Sequence, residues 1–429
     1  MKVKGEGEQM KISKISTWLV LGAILAGCAT TDQYDIRPDA ANDGIPSAVQ
    51  WQCEKAATLA AATSRATLAK FVASPSAADA LLAQLKGAYA TDPVVMTQIG
   101  CVTQWVMDPA NANGAEERVT WVAALERTKL ASTDGYVQTF CEQQLWQCRP
   151  DVSIGPDRIG VCSWSWHGSI DKVDAGMKAL GVKGVHLRIK PYLMLDGRMC
   201  EERVRRELAF IKKRIATGEW KLMSTMVSMT GENYTSLKTI RETGGIVPDG
   251  TWETNKQIVS KGARLTQELG GKYMSTHAGF LNVSDSAAFK KYVERVSWMR
   301  DTCAKHGVTL ILESGQETAA DLAVFMKKVP GIGINFDPAN MILYAKGRPL
   351  EAVKTLYPWI RQVHVKDACA TKVPGTWGRE MPWGAGEVGG KAFLAELEAL
   401  GYRGNYVIER EGGTNRVAEV GQAYRALVE

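Results

Sequence analysis

From Pro156 to the end of the chain, short apolar runs alternate with amphipathic segments of helical spacing. Eight segments of each kind follow one another in about 270 residues. Short apolar runs predict buried strands, and strands that alternate with helices predict parallel pairing through crossover connections. This repeat number and this length predict a (β/α)8 TIM barrel over residues 156–429.

A doubly wound open sheet is the alternative architecture for the same alternation. A dinucleotide-binding sheet of that kind carries GxGxxG after its first strand, and none follows the first apolar run here, RIGVCSWS. Glycines close several helices directly before the next strand, as in ALG at 179–181 and KHG at 305–307. The pattern therefore favours the barrel.

Residues 46–150 predict a small all-helical domain in front of the barrel. They are rich in Ala, Gln, Leu and Val at helical spacing. Two candidate helices, PVVMTQIGCVTQWVM and DGYVQTFCEQQLWQC, share Gln, an apolar residue, Cys and a nearby Trp, which indicates stacked helical pairs of the HEAT-like type. The region lacks a catalytic constellation, so we predict a packing or spacer role. The alternative is a surface for a partner or glycan whose identity the sequence leaves unknown.

Residues 1–28 predict a bacterial lipoprotein signal peptide. Lys11 and Lys14 precede an apolar run, TWLVLGAILAG, that is too short to span a bilayer as a helix. The LAGC sequence ending at Cys28 resembles a lipobox, in which the Cys is lipidated, and residues 29–45 read as a polar tether. This resemblance implies an exported protein held by its lipid anchor at the periplasmic face of a membrane. Ala29, the residue after this Cys, resembles the signal for sorting to the outer rather than the inner membrane. A secretory signal with a chance Cys is the alternative.

Charge patterning indicates no nucleic-acid partner. The net charge of +6 is spread over 429 residues, without a run of Lys and Arg that marks a nucleic-acid surface. No apolar run after residue 28 is long enough for a transmembrane helix, so the lipid anchor is the only membrane attachment that the sequence predicts.

Four successive apolar runs near the C-terminus each end in a metal-ligand type of residue. The runs are VTLILESG, GINFDPAN, RQVHVKDA and NYVIERE, and the residues are Glu313, Asp337, His364 and Glu409. Adjacent barrel strands bring their C-terminal ends together, where barrel enzymes carry their chemistry. A cation would offset the repulsion between three carboxylates, so we predict one divalent ion. Oxygen-rich ligation with one imidazole suits Mn²⁺, Mg²⁺ or Co²⁺, and Zn²⁺ is a further candidate.

These residue types also suit proton transfer. The ion would polarise a carbonyl and its neighbouring hydroxyl, while Glu313 and Glu409 move protons between adjacent carbons as base and acid. His277 ends the fourth strand and is a candidate for substrate contact, with a structural hydrogen bond as the alternative. Glu317 and Lys366 lie close in sequence to the ligands and are candidate substrate or ligand-supporting groups.

Residues 157–429 resemble the xylose isomerase-like TIM barrels called sugar phosphate isomerases/epimerases. The resemblance rests on ESGQE, NFDPAN, HVKD and WGAGEV…FLAELEALGYRGNYVIERE, in this order. In the ketose 3-epimerases of that family, Glu, Asp, His and Glu on strands 5 to 8 hold the metal. This implies the same role for Glu313, Asp337, His364 and Glu409, with the two glutamates as the proton-transfer pair.

Two departures from the epimerase pattern imply a different grip on the substrate. Those enzymes have His three residues after the metal Asp, where this chain has Asn340, which we interpret as a substrate-binding residue. They have Arg three residues after the Asp of His-x-x-Asp, where this chain has Ala370. The AP endonuclease branch binds three metals with extra His residues. This chain has five His in all, so DNA repair is not expected.

The leading functional hypothesis is a metal-dependent sugar isomerase or epimerase. An exported enzyme rarely meets sugar phosphates, which favours an unphosphorylated sugar. The second hypothesis is a lyase that takes a proton from a keto-sugar glycoside and expels the aglycone by β-elimination at the same metal site. The third is a non-catalytic carbohydrate-binding lipoprotein, which would show a broken ligand set.

Overall fold

The computed structural model describes residues 64–87, 90–148, 152–166, 168–195, 199–373 and 375–429. They belong to two compact units, Met1–Pro150 and Asp151–Glu429. The predicted signal peptide, the tether and the start of the helical domain lie outside the described residues, and so does Cys28. Within the described part of the chain, no helix combines the length and the apolar character needed to cross a bilayer.

The first unit is helical, as predicted. Its described helices are α1 (Arg65–Val72), α2 (Pro75–Leu82), α3 (Pro93–Trp105), α4 (Gly114–Ala131) and α5 (Gly135–Gln147). Ser64 and Ser74 cap the first two helices by accepting a backbone N–H. The fully buried Trp121 donates its indole N–H to Thr103 Oγ1 at 3.0 Å, so the polar end of this core ring is satisfied.

The second unit contains a closed parallel barrel, which confirms the predicted fold class. Eight strands close in the order β1-β10-β7-β6-β5-β4-β3-β2, with β1 also paired to β2. The remaining two strands, β8 and β9, form a separate antiparallel hairpin. The strands are β1 (Ile159–Cys162), β2 (Gly184–Arg188), β3 (Lys221–Met226), β4 (Tyr273–Thr276), β5 (Thr309–Glu313), β6 (Gly333–Phe336), β7 (Ile360–Val365), β8 (Asp367–Cys369), β9 (Arg379–Met381) and β10 (Asn405–Ile408).

Helices follow the barrel strands and cover their outer faces with apolar side chains. As the alternation predicts, the helix Ile170–Leu180 is capped by Gly181, whose φ of 69° is the left-handed conformation that favours glycine at a helix C-cap. The helices are α6 (Ile170–Leu180), α7 (Glu201–Ala216), α8 (Leu237–Thr243), α9 (Asp249–Glu268), α10 (Ser286–Ala304), α11 (Ala319–Lys328), α12 (Pro338–Leu343), α13 (Pro349–Leu356), α14 (Gly390–Ala399) and α15 (Arg416–Val428).

Three elements add to the predicted pattern: the helices α8 and α12 and the β8–β9 hairpin. The long loop expected after the third strand contains α8, which begins with a capping box between Ser236 and Thr239. The β8–β9 hairpin follows the seventh barrel strand, β7. Its first residue, Asp367, accepts the backbone N–H groups of Gly384 at 2.9 Å and Gly386 at 3.0 Å. These bonds hold the segment after β9 close to the C-terminal end of β7.

Candidate active site

The four residues predicted as metal ligands converge at the C-terminal ends of adjacent strands. Glu313 is the last residue of β5, Asp337 follows β6, His364 lies in β7 and Glu409 follows β10. Each is buried, and one ligand atom from each lies within 4.8 Å of the others. The Nδ1 atom of His364 faces all three carboxylates, at 3.5 Å from Glu313, 3.3 Å from Asp337 and 3.2 Å from Glu409.

Turns after β5 and β6 fix the first two carboxylates. Ser314 Oγ accepts the backbone N–H of Asp337 at 3.0 Å, which ties the two strand ends together. Gly315 has a φ of 130°, and a Cβ there would lie 2.2 Å from the Cβ of Asn340. Only glycine therefore allows Asn340 to approach and donate its amide to Glu313 Oε1, at 3.1 Å.

The donor set fits a divalent cation. Oxygen ligands with one imidazole are typical of Mn²⁺, Mg²⁺ or Co²⁺ sites. The Oε2 atom of Glu313 is buried without a hydrogen-bond partner among the described residues, which is costly unless a ligand satisfies it. Three carboxylates in one buried cluster also repel one another, and a cation offsets that repulsion. The cluster therefore has the chemistry and the burial of a metal centre, and the Glu313 Oε2 atom remains for a ligand or substrate.

Nearby positive groups control the protonation of this cluster. Burial alone would raise the pKa of Glu313, but His277 and His364 hold it well below its usual range. Burial would also raise the pKa of Glu409, but Lys366 and His364 hold it below its usual range. Burial lowers the pKa of His364, whereas Glu409 and Glu313 raise it well above the usual value. A cation bound at Nδ1 must displace a proton from that nitrogen.

The two glutamates differ in how firmly they are held. Glu409 accepts the Trp164 indole N–H at 2.7 Å on Oε1 and the Lys366 ammonium at 2.8 Å on Oε2. Lys366 is 3% exposed and also contacts Glu411 Oε2 at 2.9 Å. Among the described residues, Glu313 has polar contacts on Oε1 alone, from Asn340, from His277 Nε2 at 3.3 Å and from His364 Nδ1 at 3.5 Å. The free oxygen of Glu313 is therefore the one available for a new contact.

A cavity of about 670 Å³ opens above the cluster. Its lining includes both glutamates and three of the predicted substrate-binding residues, His277, Asn340 and Lys366. Two aromatic rings, Tyr344 and Trp377, pack edge to face on its wall with centroids 5.0 Å apart. The other described residues that line it are Trp164, Arg188, Lys190, Met226, Ser228, Met229, Thr230, Gly231, Glu232, Tyr234, Leu343, Glu380 and Glu411.

Several charged lining residues escaped the sequence analysis because they lie in loops or on the added hairpin. Glu232 follows β3, and Glu380 belongs to β9. Glu380 accepts the backbone N–H groups of Glu411 at 2.9 Å and Gly412 at 2.7 Å, so the hairpin is joined to the segment after β10. The Thr-Gly-Glu sequence at 230–232, directly after the apolar run KLMSTMVSM, was the available signal for Glu232.

A second group of ligand-type atoms lies beneath the first. The sulfur of Cys162 is 3.8 Å from His186 Nδ1 and 3.8 Å from His364 Nε2, and all three side chains are fully buried. His364 thus presents its two ring nitrogens to different surroundings. The two rings also contact each other, with His364 Nε2 3.3 Å from His186 Nδ1, and the same nitrogens contact the amides of Asn335 and Gln362. A closed zinc site takes four ligands, and this group offers three among the described residues.

Glu317, the remaining predicted substrate residue, is buried beside the site and does not belong to the described lining of the cavity. Burial raises the pKa of this carboxyl to about 7, although the backbone N–H groups of Gly315 and Gln316 lower it. The side chain thus supports the turn after β5 from behind.

Glu317→Gln should stabilise the barrel at pH 8 and leave it unchanged near pH 4.5. The folded carboxyl has a pKa of about 7 against 4.5 without the fold, so the native state binds more protons between these values. Stability therefore falls as the pH rises from about 4.5 to 7, by up to about 3 kcal/mol, and Gln removes that loss. Calorimetry across this range should reveal it. Glu294→Gln, an exposed control, should show no such trend, and a pH-independent difference at Glu317 would contradict the assignment.

A sequence model of the family described as xylose isomerase-like TIM barrel matches residues 202–429, more than half of the chain. A xylose isomerase domain protein from Planctomyces limnophilus is 28% identical, with 65% of this chain and 96% of that chain covered and a TM-score of 0.55. A xylose isomerase-like TIM barrel protein from Mycobacterium smegmatis in complex with magnesium is 20% identical, with 60% and 88% covered and a TM-score of 0.45.

One curated relative also matches. The uncharacterized protein YihM of Escherichia coli (strain K12) is 34% identical over 110 residues, which are 25% of this chain and 33% of that protein. The chain therefore spans about a third of the length of this relative.

Proposed function

Because the chain belongs to the xylose isomerase-like TIM barrel family, we propose that it is a metal-dependent isomerase or epimerase of an unphosphorylated sugar. The reaction is a proton transfer at a carbon next to a carbonyl. One observation carries the proposal: the buried cluster of three carboxylates and one imidazole includes a glutamate, Glu313, that has a free oxygen and lines the cavity.

The residues of the cluster have two roles, metal binding and proton transfer. Glu313, Asp337, His364 and Glu409 hold the ion, which when bound polarises a substrate carbonyl. The Oε2 atom of Glu313 takes a proton from the carbon beside that carbonyl, since this oxygen has no competing partner among the described residues. Glu409 is the second proton-transfer group of the pair.

Neighbouring side chains keep this pair in place and bind the substrate. Trp164 and Lys366 orient the Glu409 carboxylate through the two hydrogen bonds described above. His277 and Asn340 contact Glu313 and line the cavity, so each is within reach of a substrate oxygen. The aromatic faces of Tyr344 and Trp377 suit the apolar C–H surface of a sugar ring.

The polar lining of the cavity suits a substrate with neutral hydroxyl groups. Carboxylate acceptors and cationic donors both occur among the described lining residues, including Glu232 and Glu380 on one hand and Arg188 and Lys190 on the other. Lys366 is already paired with Glu409 and Glu411. Sugar hydroxyl groups therefore find both donors and acceptors in this cavity.

The size of the cavity supports a second candidate, β-elimination from a keto-glycoside. A volume of about 670 Å³ falls in the range of pockets for ligands larger than one sugar ring. The same proton abstraction by Glu313 would then expel an aglycone from the neighbouring carbon.

Product analysis distinguishes these two reactions. The metal-loaded full chain is incubated with a panel of free sugars and keto-glycosides, and the products are weighed by mass spectrometry. Isomerisation or epimerisation conserves the mass of the substrate, whereas elimination releases a fragment. Binding without conversion of any member, with the metal site filled, would favour the carbohydrate-binding role over both enzymes.

We also propose that the protein is an exported lipoprotein anchored through Cys28, on the periplasmic side of a membrane and in the outer membrane by preference. The support is the LAGC sequence and the polar tether after it. Metabolic labelling with a palmitate analogue should tag the wild type, and Cys28→Ser should abolish the tag. Labelling that survives this substitution would rule out the anchor.

A further inference from the structure

A second recess adjoins the cavity next to the C-terminal ends of β1 and β2. Its volume is about 470 Å³, and its described lining residues are Trp164, Gly168, Arg188, Glu411 and Arg416. Three of them, Trp164, Arg188 and Glu411, also line the cavity above the carboxylate cluster. A ligand held over the cluster can therefore extend from the cavity into this recess.

The recess brings together two arginines that are distant in the sequence. Arg188 is the last residue of β2, and Arg416 is the first residue of α15. The one carboxylate among the described lining residues of the recess is Glu411, and its Oε2 atom contacts the Lys366 ammonium at 2.9 Å. Because this carboxylate already has a cationic partner, the two guanidinium groups make the recess attractive to an anion.

Arg188 contacts an indole rather than a carboxylate. Its Cζ atom lies over the Trp164 ring, 5.1 Å from the ring centroid. Its backbone N–H donates to Ser163 Oγ at 2.9 Å, which ties the end of β2 to the residue before Trp164. A cation–π contact uses none of the guanidinium N–H donors, and no described residue accepts a hydrogen bond from them. These donors therefore remain for a ligand.

The same indole connects Arg188 to the proposed chemistry. Trp164 donates its indole N–H to Glu409 Oε1 at 2.7 Å. One indole ring therefore separates the Arg188 guanidinium from the second proton-transfer group. An anion bound by Arg188 is close enough to Glu409 to be a substituent of the molecule that reacts there.

We propose that Arg188 and Arg416 bind a carboxylate of the substrate, and that the substrate is an acidic sugar of the uronic acid class. The planar guanidinium group presents paired N–H donors that match the two oxygens of a carboxylate. The two arginines would then determine specificity, while the carboxylate cluster carries out the reaction.

This assignment rests on the proposed function and narrows its substrate class. Isomerisation of a uronate is the same proton transfer next to a carbonyl. The C2–H bond breaks, a C1–H bond forms and a hydroxyl proton moves from O2 to O1. Atoms and electrons balance within the substrate, so the reaction needs no further reactant.

Titration calorimetry of the full chain with matched sugar pairs, in the presence of Mg²⁺, tests the assignment. The pairs are D-glucose with D-glucuronate, D-galactose with D-galacturonate, and D-mannose with D-mannuronate. We expect at least one uronate to bind about 10-fold or more tightly than its neutral partner, because it gains charge-assisted hydrogen bonds. Arg188→Gln should remove that preference, and Arg416→Gln should reduce it. Arg205→Gln is the control, at an exposed arginine of α7 outside the described lining of the recess.

Arginine labelling gives an independent readout that requires no turnover. Phenylglyoxal modifies accessible arginines, and peptide mass spectrometry measures the modification at each position. The uronate that binds most tightly should protect Arg188, whereas its neutral partner should not. Arg205 should be modified equally in the presence of either sugar.

Three results would overturn the acidic-sugar assignment. The first is that no uronate binds more tightly than its neutral partner, and the second is a preference for the uronate that survives in a folded Arg188→Gln variant. The third is binding of D-glucose 6-phosphate that is tighter than that of every uronate and is lost in Arg188→Gln. That result would assign the recess to a phosphate and would also contradict an unphosphorylated substrate.

Failure of this assignment is distinguishable from failure of the proposed function. Conversion of neutral sugars without any preference for a uronate would overturn the role of Arg188 and Arg416 and leave the isomerase intact. Uronate binding that depends on Arg188, without conversion of any sugar in the panel, would support the two arginines as the carboxylate site and contradict the isomerase.

Discussion

Glu313→Gln is expected to lower kcat by about 10²–10⁴-fold, because it removes the proposed proton acceptor with little change of shape. The reason is specific to this carboxylate. Its Oε2 atom is buried and has no partner among the described residues, while Oε1 is held by Asn340 and His277. The amide of Gln can occupy the same space but cannot take a proton from carbon.

Glu294→Gln is the control for this measurement. It is the same chemical change at an exposed carboxyl of α10 that does not belong to the described cavity lining. We expect kcat of the control to stay within about twofold of the wild type. Metal content must be measured on the same samples, since Glu313 is also a proposed ligand. A Glu313→Gln variant with full metal occupancy and undiminished kcat would contradict its role as the base.

His364→Ala is expected to weaken divalent metal binding by more than about 100-fold. Its Nδ1 atom is the only nitrogen among the four proposed ligands, and it lies within 3.5 Å of all three carboxylates. Removing the ring leaves the carboxylates without the group at their centre.

Elemental analysis and Mn²⁺ titration of the purified chain measure this effect. The wild type should contain close to one divalent ion per chain. His306→Ala is the matched control. The His306 ring contacts Gln267 near the C-terminal end of α9, and its loss should leave the metal content unchanged. Full occupancy in the His364→Ala variant would show that His364 is not a ligand.

The alternation of apolar runs and helical segments was sufficient to predict the barrel and its eight strands. Parallel strands in an α/β barrel are buried on both faces, so in the sequence they appear as continuous apolar runs. Each run here ends where a polar residue follows it. For the same reason Glu313, Asp337 and Glu409 stood out at strand ends, where a core residue would be apolar. Their convergence follows from strand order alone, because β5, β6, β7 and β10 are neighbours in the closed barrel.

The rest of the site depends on contacts that sequence patterns do not encode. Glu380 reaches the cavity from a hairpin whose position depends on hydrogen bonds to Asp367 and to the segment after β10. Lys366 was predicted as a substrate-binding residue from its place beside His364, and the structure adds its pairing with Glu409 and Glu411.

The buried polar contacts beneath the cluster were equally hidden. Asn335 and Gln362 are single polar residues inside strands, and such residues look alike whether they face the barrel interior or its outer side. The contact between them joins neighbouring strands in the interior, and their shared link to His186 crosses the barrel, so it is visible only in three dimensions.

Solvent labelling during turnover tests the central claim, proton transfer at a carbon next to a carbonyl, most directly. The metal-loaded chain is incubated in heavy water with whichever sugar of the panel it converts, and the product is examined by mass spectrometry and NMR. We expect one deuterium from solvent on the reacting carbon, because a proton taken by Glu313 exchanges before it is returned. A rapidly formed product without solvent deuterium, from a chain with its metal bound, would indicate a hydride shift between adjacent carbons and would contradict proton transfer.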